Sequence, residues 1–369
     1  MNDKLKNIVL IVLFLAVIIG FMTANIISPD KEISFSERRK LRSSPEFSFE
    51  KLWSGQIFSE YEKYFQDQFV LRENFRTLKS FGKFYIESLK DSDGIYVINE
   101  SEYKGIYKME YPLNEKSVKN AGAKFNDIYD KYLKNTNVYY SIIPDKNYFI
   151  PESKGYLGMD YDKLKTIMKE DMKNIKYIDI FEELHLEDYF RTDLHWRQEK
   201  IINTANKLLT GMGSTSYHTT FNSNELSPFY GAYYGQSALL SEPDTLIYIT
   251  NDIINEAIVY DPISKDRLSI YDTEQFGTID SYNLFLSGPQ AVLTIESPLS
   301  DSDRELYIFR DSYSSSLAPL LTETYSKITL IDLRYISSSI LDNYIKFKDG
   351  SDVLFIYGIQ ILNQSSVLK

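Results

Sequence analysis

The longest hydrophobic block in the chain is an uncharged run from Asn7 to Pro29, with Ile8–Met22 as its apolar heart. A helix needs about 20 apolar residues to span a bilayer, and this run reaches that with Thr23–Ser28 included. Downstream the pattern turns from continuous to periodic. Residues 30–46 are charged and punctuated by proline, which reads as a linker. In Phe47–Leu89, Ile57, Tyr61, Tyr64, Phe65 and Phe69 follow the i, i+3, i+4 spacing of one apolar helix face.

From about Gly94 short apolar runs alternate with helical periodicity. Ile95–Asn99, Ile106–Met109, Val138–Ile143 and Tyr177–Ile180 predict strands, as do Val292–Glu296, Glu305–Phe309, Lys327–Asp332 and Val353–Tyr357. Ser117–Leu133, Tyr161–Asn174 and Gln198–Gly211 predict helices between them. Such alternation indicates an α/β fold with a mainly parallel sheet covered on both faces. Residues 217–290 differ: they are Tyr-rich and turn-rich, and predict a β-rich insertion that shapes a binding cleft.

Composition narrows the function classes. A net charge of −11 offers no basic stripe for phosphates, which argues against nucleic-acid binding. With no cysteine, disulfides, thiolate metal sites and a Cys nucleophile are excluded. Of the 30 Tyr and 22 Phe, the tyrosines suit stacking on sugars, but an AT-biased genome is the favoured reading of both. Lys4 and Lys6 ahead of the apolar run put the N-terminus in the cytoplasm and the rest of the chain outside. No clean small-x-small site follows the run, so an uncleaved anchor is expected, with a cleaved signal peptide as the alternative.

Three histidines limit the chemistry. His185 suits packing at an element's end, and His218 lies in a Ser/Thr/Asn-rich loop. His195 sits in Arg191-Thr-Asp-Leu-His-Trp196, where Asp193 can turn back to accept the imidazole Nδ1–H and fix its tautomer. A structural Asp N-cap beside a satisfied histidine fits the same residues. The second element is an apolar strand running into Arg310-Asp311-Ser312-Tyr313 and then a helix-compatible segment, Ser315–Leu321. A serine there lies where open α/β sheets place reactive groups, with its own N–H as an oxyanion donor. A plain serine N-cap is the other reading. One usable imidazole is too few for a metal centre, so neither metal nor cofactor is expected.

Thr192-Asp193-Leu194-His195-Trp196 resembles the signature of the DHHW proteins, relatives of the alginate O-acetylation proteins with an SGNH-hydrolase-like domain. Glu62–Phe69 with Arg72, Ile143-Pro-Asp-Lys146, Asp280–Gly288, Arg310–Tyr313 and Ile331–Tyr335 resemble other family blocks, in order, from about residue 45 onward. Leu194 departs from the pattern, standing where the family has its first His. An i+1 side chain points away from its neighbours, so the Asp–His pair is expected to survive the exchange.

The resemblance implies a three-layer α/β/α domain over residues 91–369, preceded by an anchor (1–29), the linker and a helical region (47–90). It casts Asp193, His195 and Ser312 as orienting acid, general base and nucleophile. Gly288 becomes a second oxyanion donor, and Tyr313 and Arg334 line the site. The implied reaction is O-acetyl transfer to an exopolysaccharide, the acetyl group arriving from a multi-pass membrane acyltransferase beside a glycan synthase complex. Tyr234, in the Tyr-rich Phe229–Gly235 segment, is a candidate sugar platform. The same triad with water as acceptor would be an acetylesterase, and a non-catalytic glycan-binding subunit is the reading from another class.

Overall fold

A computed structural model of the chain describes residues 3–214 and 220–369, which leaves His218 outside the described residues. These form two compact units, one running to Leu89 and including Ala238–Leu240, the other Lys90–Ser237 with Ser241–Lys369.

The first unit begins with helix α1, Asp3–Ile27, the one described helix long and apolar enough to cross a membrane. Strands β1 (Ile33–Ser34) and β2 (Arg39–Lys40) pair antiparallel. Helices α2 (Phe49–Ser54), α3 (Gln56–Gln68) and α4 (Arg72–Phe81) follow, and a π-helical turn, Gly82–Ile86, continues α4. Residues 30–46, expected as a linker, fold against these helices. Arg39 bonds both oxygens of the buried Asp67 carboxylate at 2.8 and 2.5 Å, and Glu37 pairs with Arg72 at 2.8 Å. Bidentate guanidinium–carboxylate contacts of this kind fix orientation as well as distance.

The second unit opens with an antiparallel hairpin, β3 (Ile95–Ile98) and β4 (Gly105–Lys108). Then come α5 (Glu115–Tyr132), β5 (Asn137–Ile143), α6 (Tyr161–Asp171), β6 (Lys176–Tyr177) and α7 (Ile202–Gly211). Asn114 and Asp160 cap α5 and α6, each accepting a backbone N–H that the helix start leaves unpaired. Strand β7 (Asn222–Phe229), helix α8 (Ala232–Ser237) and strands β8 (Asp244–Thr250), β9 (Ile258–Tyr260) and β10 (Arg267–Leu268) follow. The chain ends through β11 (Val292–Glu296), β12 (Glu305–Arg310), β13 (Lys327–Ile331) and β14 (Asp352–Gly358).

Eight strands make one sheet in the order β10-β9-β11-β13-β12-β14-β5-β6. From β13 to β6 the neighbours are parallel, and from β13 to β10 they are antiparallel. The 217–290 stretch is therefore divided: β7 and β8 pair with each other, whereas β9 and β10 extend the edge of the main sheet.

Strand β12 shows why two cores form. Tyr307 and Phe309 enter one apolar cluster with α5 and α6, while Leu306 and Ile308 enter another with α7. In β14, Val353, Phe355 and Tyr357 alternate with Leu354 and Ile356 in the same way. Successive strand side chains point to opposite faces, so a continuous apolar run is what a strand covered on both sides requires. The result is the expected three-layer α/β/α arrangement. A one-residue slip would exchange the two sets and expose their packing, which fixes the register. The parallel strands bring Asp145–Lys146 after β5, Asp311–Ser312 after β12, Asp332 and Arg334 after β13, and Gly358 at the end of β14 to one edge of the sheet.

Candidate active site

The Asp–His pair lies on a tight turn between β6 and α7. Phe190 N–H donates to the His195 carbonyl at 3.1 Å, and Arg197 N–H to the Asp188 carbonyl at 2.7 Å. Asp244 holds the turn from the side, accepting Thr192 N–H at 2.8 Å and Thr192 Oγ1–H at 2.6 Å. The Tyr-rich segment presses against it so closely that a Cβ on Gly231 would lie 2.3 Å from the Asp193 Cβ. Only glycine fits there.

Asp193 is fully buried and caps no following helix, since α7 does not begin until Ile202. Its Oδ1 lies 2.6 Å from His195 Nδ1 and accepts the His195 N–H at 3.0 Å, while Oδ2 accepts the Ala232 N–H at 2.6 Å. The imidazole Nε2 lies 2.8 Å from Ser312 Oγ. With the carboxylate accepting from Nδ1–H, Nε2 is the acceptor for the serine hydroxyl. The Ser312 hydroxyl is spent on this contact and not on capping. Its amide N–H donates to none of the described residues.

Asp311 sets the serine turn, accepting from Tyr313 N–H at 3.1 Å and Gly358 N–H at 2.7 Å. Burial raises its pKa, although Arg334 and the two amide donors oppose that. The imidazole of His195 stacks on Tyr282 with ring centroids 3.8 Å apart and planes 7° from parallel. Tyr282 in turn donates to Ser316 Oγ at 2.9 Å, and Tyr313 packs edge-on to His195 while donating to the Leu194 carbonyl at 2.9 Å. The ring is therefore held on its face, its edge and both nitrogens.

Ser312 opens on a cavity of about 210 Å³ lined also by Lys108, Glu110, Gln236, Gln360 and Gln364. Tyr313 and Arg334 are among its lining residues, and Arg334 is held by Asp332 at 2.9 and 2.6 Å. Leu194 is among its lining residues too, and it packs against the cluster of Ile95, Ile106 and Tyr233. Gly288 is not brought there. Its N–H donates to the Phe285 carbonyl at 3.3 Å, closing a turn at φ +86°, which leaves it no role as an oxyanion donor. Tyr234 is not among the cavity residues either. It lies on α8, its ring 4.5 Å from Tyr230, and the neighbouring Tyr233 and Gln236 face the cavity. No group of three or more metal-binding side chains occurs among the described residues.

Three residues escaped the sequence reading. Tyr282 stands in a recognisable block, yet a tyrosine gives no sign of stacking on a histidine 87 positions away. Lys146 follows the β5 strand and is buried, its ammonium donating to the carbonyls of Ile106, Phe190, Arg191 and Asp193 at 2.6 to 3.0 Å. Glu110, just past the hairpin, is buried beside the cavity, and burial together with Asp145 pushes its pKa up to about 7. A carboxyl with a raised folded pKa keeps its proton between the ordinary 4.5 and 7 while the unfolded chain releases it. Stability from this group therefore falls as pH rises through that window. Glu110→Gln should flatten that part of the stability curve, measured by urea unfolding at both ends of the window. An unchanged slope would show that Glu110 ionises as it does in water.

The family model described as "DHHW protein" matches residues 152–331. No curated protein matches the chain. Among solved structures, a DHHW family protein from Eubacterium siraeum aligns at 20% identity over 75% of this chain and 94% of its own, with a TM-score of 0.56. Bacillus cereus PatB1, solved with a sulfonyl adduct, aligns at 14% identity over 73% of this chain and 97% of its own, with a TM-score of 0.58. At these identities the likeness establishes a shared fold over about three quarters of the chain.

Proposed function

We propose that the chain, whose residues 152–331 match the DHHW family model, is a membrane-anchored O-acetyltransferase acting on an exopolysaccharide outside the cytoplasm. The observation that carries this reading is the unbroken relay from Asp193 through His195 to Ser312, with contacts of 2.6 and 2.8 Å, ending in a cavity rich in side-chain amides. Three glutamines, a glutamate and a lysine around a nucleophile suit a polyhydroxylated acceptor, whose hydroxyls both donate and accept hydrogen bonds.

In this mechanism His195 Nε2 takes the Ser312 proton as Oγ attacks the carbonyl carbon of an acetyl donor. The tetrahedral oxyanion is met by the Ser312 N–H and the Arg334 guanidinium. Collapse breaks the bond to the donor's leaving group, which takes the proton from His195 and leaves acetyl-Ser312. A sugar hydroxyl then gives its proton to His195 and attacks the acetyl carbon, and a second collapse returns that proton to Ser312 Oγ. Asp193 keeps the imidazolium oriented in both halves. The donor is handed over by a multi-pass membrane acyltransferase within a glycan synthase complex, and α1 holds the enzyme beside it.

The full chain in detergent, given an aryl acetate and an oligosaccharide, should yield an O-acetylated oligosaccharide visible by mass spectrometry. Release of free acetate with an unmodified oligosaccharide would make the protein an acetylesterase. Neither product, with a folded protein, would leave the glycan-binding subunit as the better reading.

A further inference from the structure

The first unit carries an apolar surface that the acetyl-transfer chemistry does not use. In α4 and the π-helical turn after it, Leu78 is 64% exposed and Ile86 75% exposed, and Leu71, Phe75 and Phe81 are exposed with them. Within α4, Phe75, Leu78 and Phe81 follow the 3-residue steps of one helix face. Arg72, Arg76, Lys79 and Lys83 form a second stripe at 4- and 3-residue steps beside it. Lys79 has no ion-pair partner among the described residues. Soluble surfaces rarely leave such an apolar patch uncovered.

Two observations say what covers it. Phe21, on α1, has its ring centroid 5.7 Å from those of both Phe69 and Phe75, and Asn25 Oδ1 accepts the Val70 N–H at 2.8 Å. Phe21 lies six residues before the end of α1, roughly 9 Å along the axis at 1.5 Å per residue. The start of α4 is therefore pinned to the last turns of a bilayer-length helix, at the depth of the headgroup and upper acyl region. Beside it is a groove of about 630 Å³ walled by Phe65, Phe69 and Phe75 and edged by Glu62, Gln66, Arg72, Arg76 and Lys79. Arg72 and Arg76 are paired with Glu37 and Glu73, so the cation on that edge without an ion pair among the described residues is Lys79. Apolar walls beside that ammonium match an acyl chain below an anionic headgroup.

We propose that α4 and its π-helical extension form an interfacial helix, lying in the outer leaflet of the membrane that α1 crosses and binding anionic lipid. The proposal rests on the reading of α1 as a membrane anchor. An amphipathic helix with a basic flank inserts its apolar face to the headgroup–acyl boundary, and anionic lipid strengthens the binding. Its effect would be a second membrane contact within the first unit, so that α1 is not a simple tether.

The chain lacks cysteine, so single spin labels can be placed without background. Val17→Cys, Leu78→Cys, Ser80→Cys and Ile86→Cys variants of the full chain would be reconstituted in phosphatidylglycerol–phosphatidylcholine vesicles. Collisions with dissolved oxygen and with a water-soluble nickel complex would then be compared. The expected oxygen-to-nickel ratio is highest at Val17, severalfold above water at Leu78 and Ile86, and water-like at Ser80 on the opposite side. In phosphatidylcholine alone, or with Lys79→Glu and Lys83→Glu, the values at Leu78 and Ile86 should move toward water. Water-like values at Leu78 and Ile86 with a buried Val17 would refute the interfacial helix and leave the anchor standing. A water-like Val17 would refute the anchor and this proposal with it. Protection that occurs in native membranes but not in vesicles would mean that a protein covers the stripe, which also overturns it.

Discussion

Ser312→Ala is expected to lower acetyl transfer by about 10⁴-fold or more, the order found when a nucleophile is removed from a triad of this kind. In the proposed mechanism Oγ forms the bond to the acetyl group, so its loss would remove the covalent route and not a contributing contact. The cost to stability should be small. Oγ makes one hydrogen bond, to His195 Nε2, worth about 1 kcal/mol. The variant should therefore keep its circular dichroism spectrum and melt within a few degrees of the parent, while kcat/KM with an aryl acetate falls to background. A sulfonyl fluoride offers a second readout, because the parent should be labelled at Ser312 and the variant should not. Transfer activity that survives in a folded Ser312→Ala protein would mean that the relay is structural.

The elements were legible where one physical signal dominated. β5, β12 and β14 announce themselves as short apolar runs because both faces of each strand are covered, and the structure bounds them within one or two residues of the expected positions. Asp193, His195 and Ser312 could be singled out because few residue types perform proton transfer and nucleophilic attack, and only three histidines were available. Contacts between distant segments were not legible. Gly288 was assigned from its place in a block, but an amide's usefulness depends on whether another carbonyl has already claimed it, and Phe285 has. Residues 30–46 look like a linker by composition, since charge and proline are also what a folded ion-pair network contains. Tyr282, Glu110 and Lys146 have one cause in common. Each acts through burial against residues far away in sequence, and a single sequence encodes burial of a tyrosine, glutamate or lysine nowhere locally.

Lys146 makes the strongest case for that kind of hidden residue, and Lys146→Met should be the most destabilising single change at the site. Its ammonium has three N–H donors for four carbonyls at 2.6 to 3.0 Å, so at least one donor is shared. Burial lowers its pKa to about 7, and Asp244, Asp193 and Asp145 work in the opposite direction. The rings of Tyr107 and Tyr233 lie 4.8 and 5.3 Å from Nζ and add a weaker attraction for the cation. Three of the carbonyls belong to Phe190, Arg191 and Asp193, on the turn that carries the Asp–His pair, and the fourth belongs to Ile106 in β4. One side chain from the end of β5 thereby ties the hairpin and the Asp–His turn to the sheet edge. Methionine matches the length and shape of the stem but donates nothing, so the carbonyls lose their partners in a dry interior. Each unsatisfied buried acceptor costs about 1–3 kcal/mol, partly offset because the ammonium no longer has to be desolvated. A net loss of about 3–5 kcal/mol is expected, comparable to breaking a buried ion pair. That is a large share of the roughly 5–15 kcal/mol that holds a domain together. Lys108→Met, at the cavity rim where the side chain is half-buried, should cost far less. Urea unfolding of both variants beside the parent gives the comparison, and equal midpoints for Lys146→Met and Lys108→Met would show that the four carbonyls are satisfied without the ammonium. Because Asp193 is one of the residues released, kcat of the Lys146→Met protein should fall even at temperatures where it remains folded, whereas a purely structural lysine would leave kcat of the folded fraction unchanged.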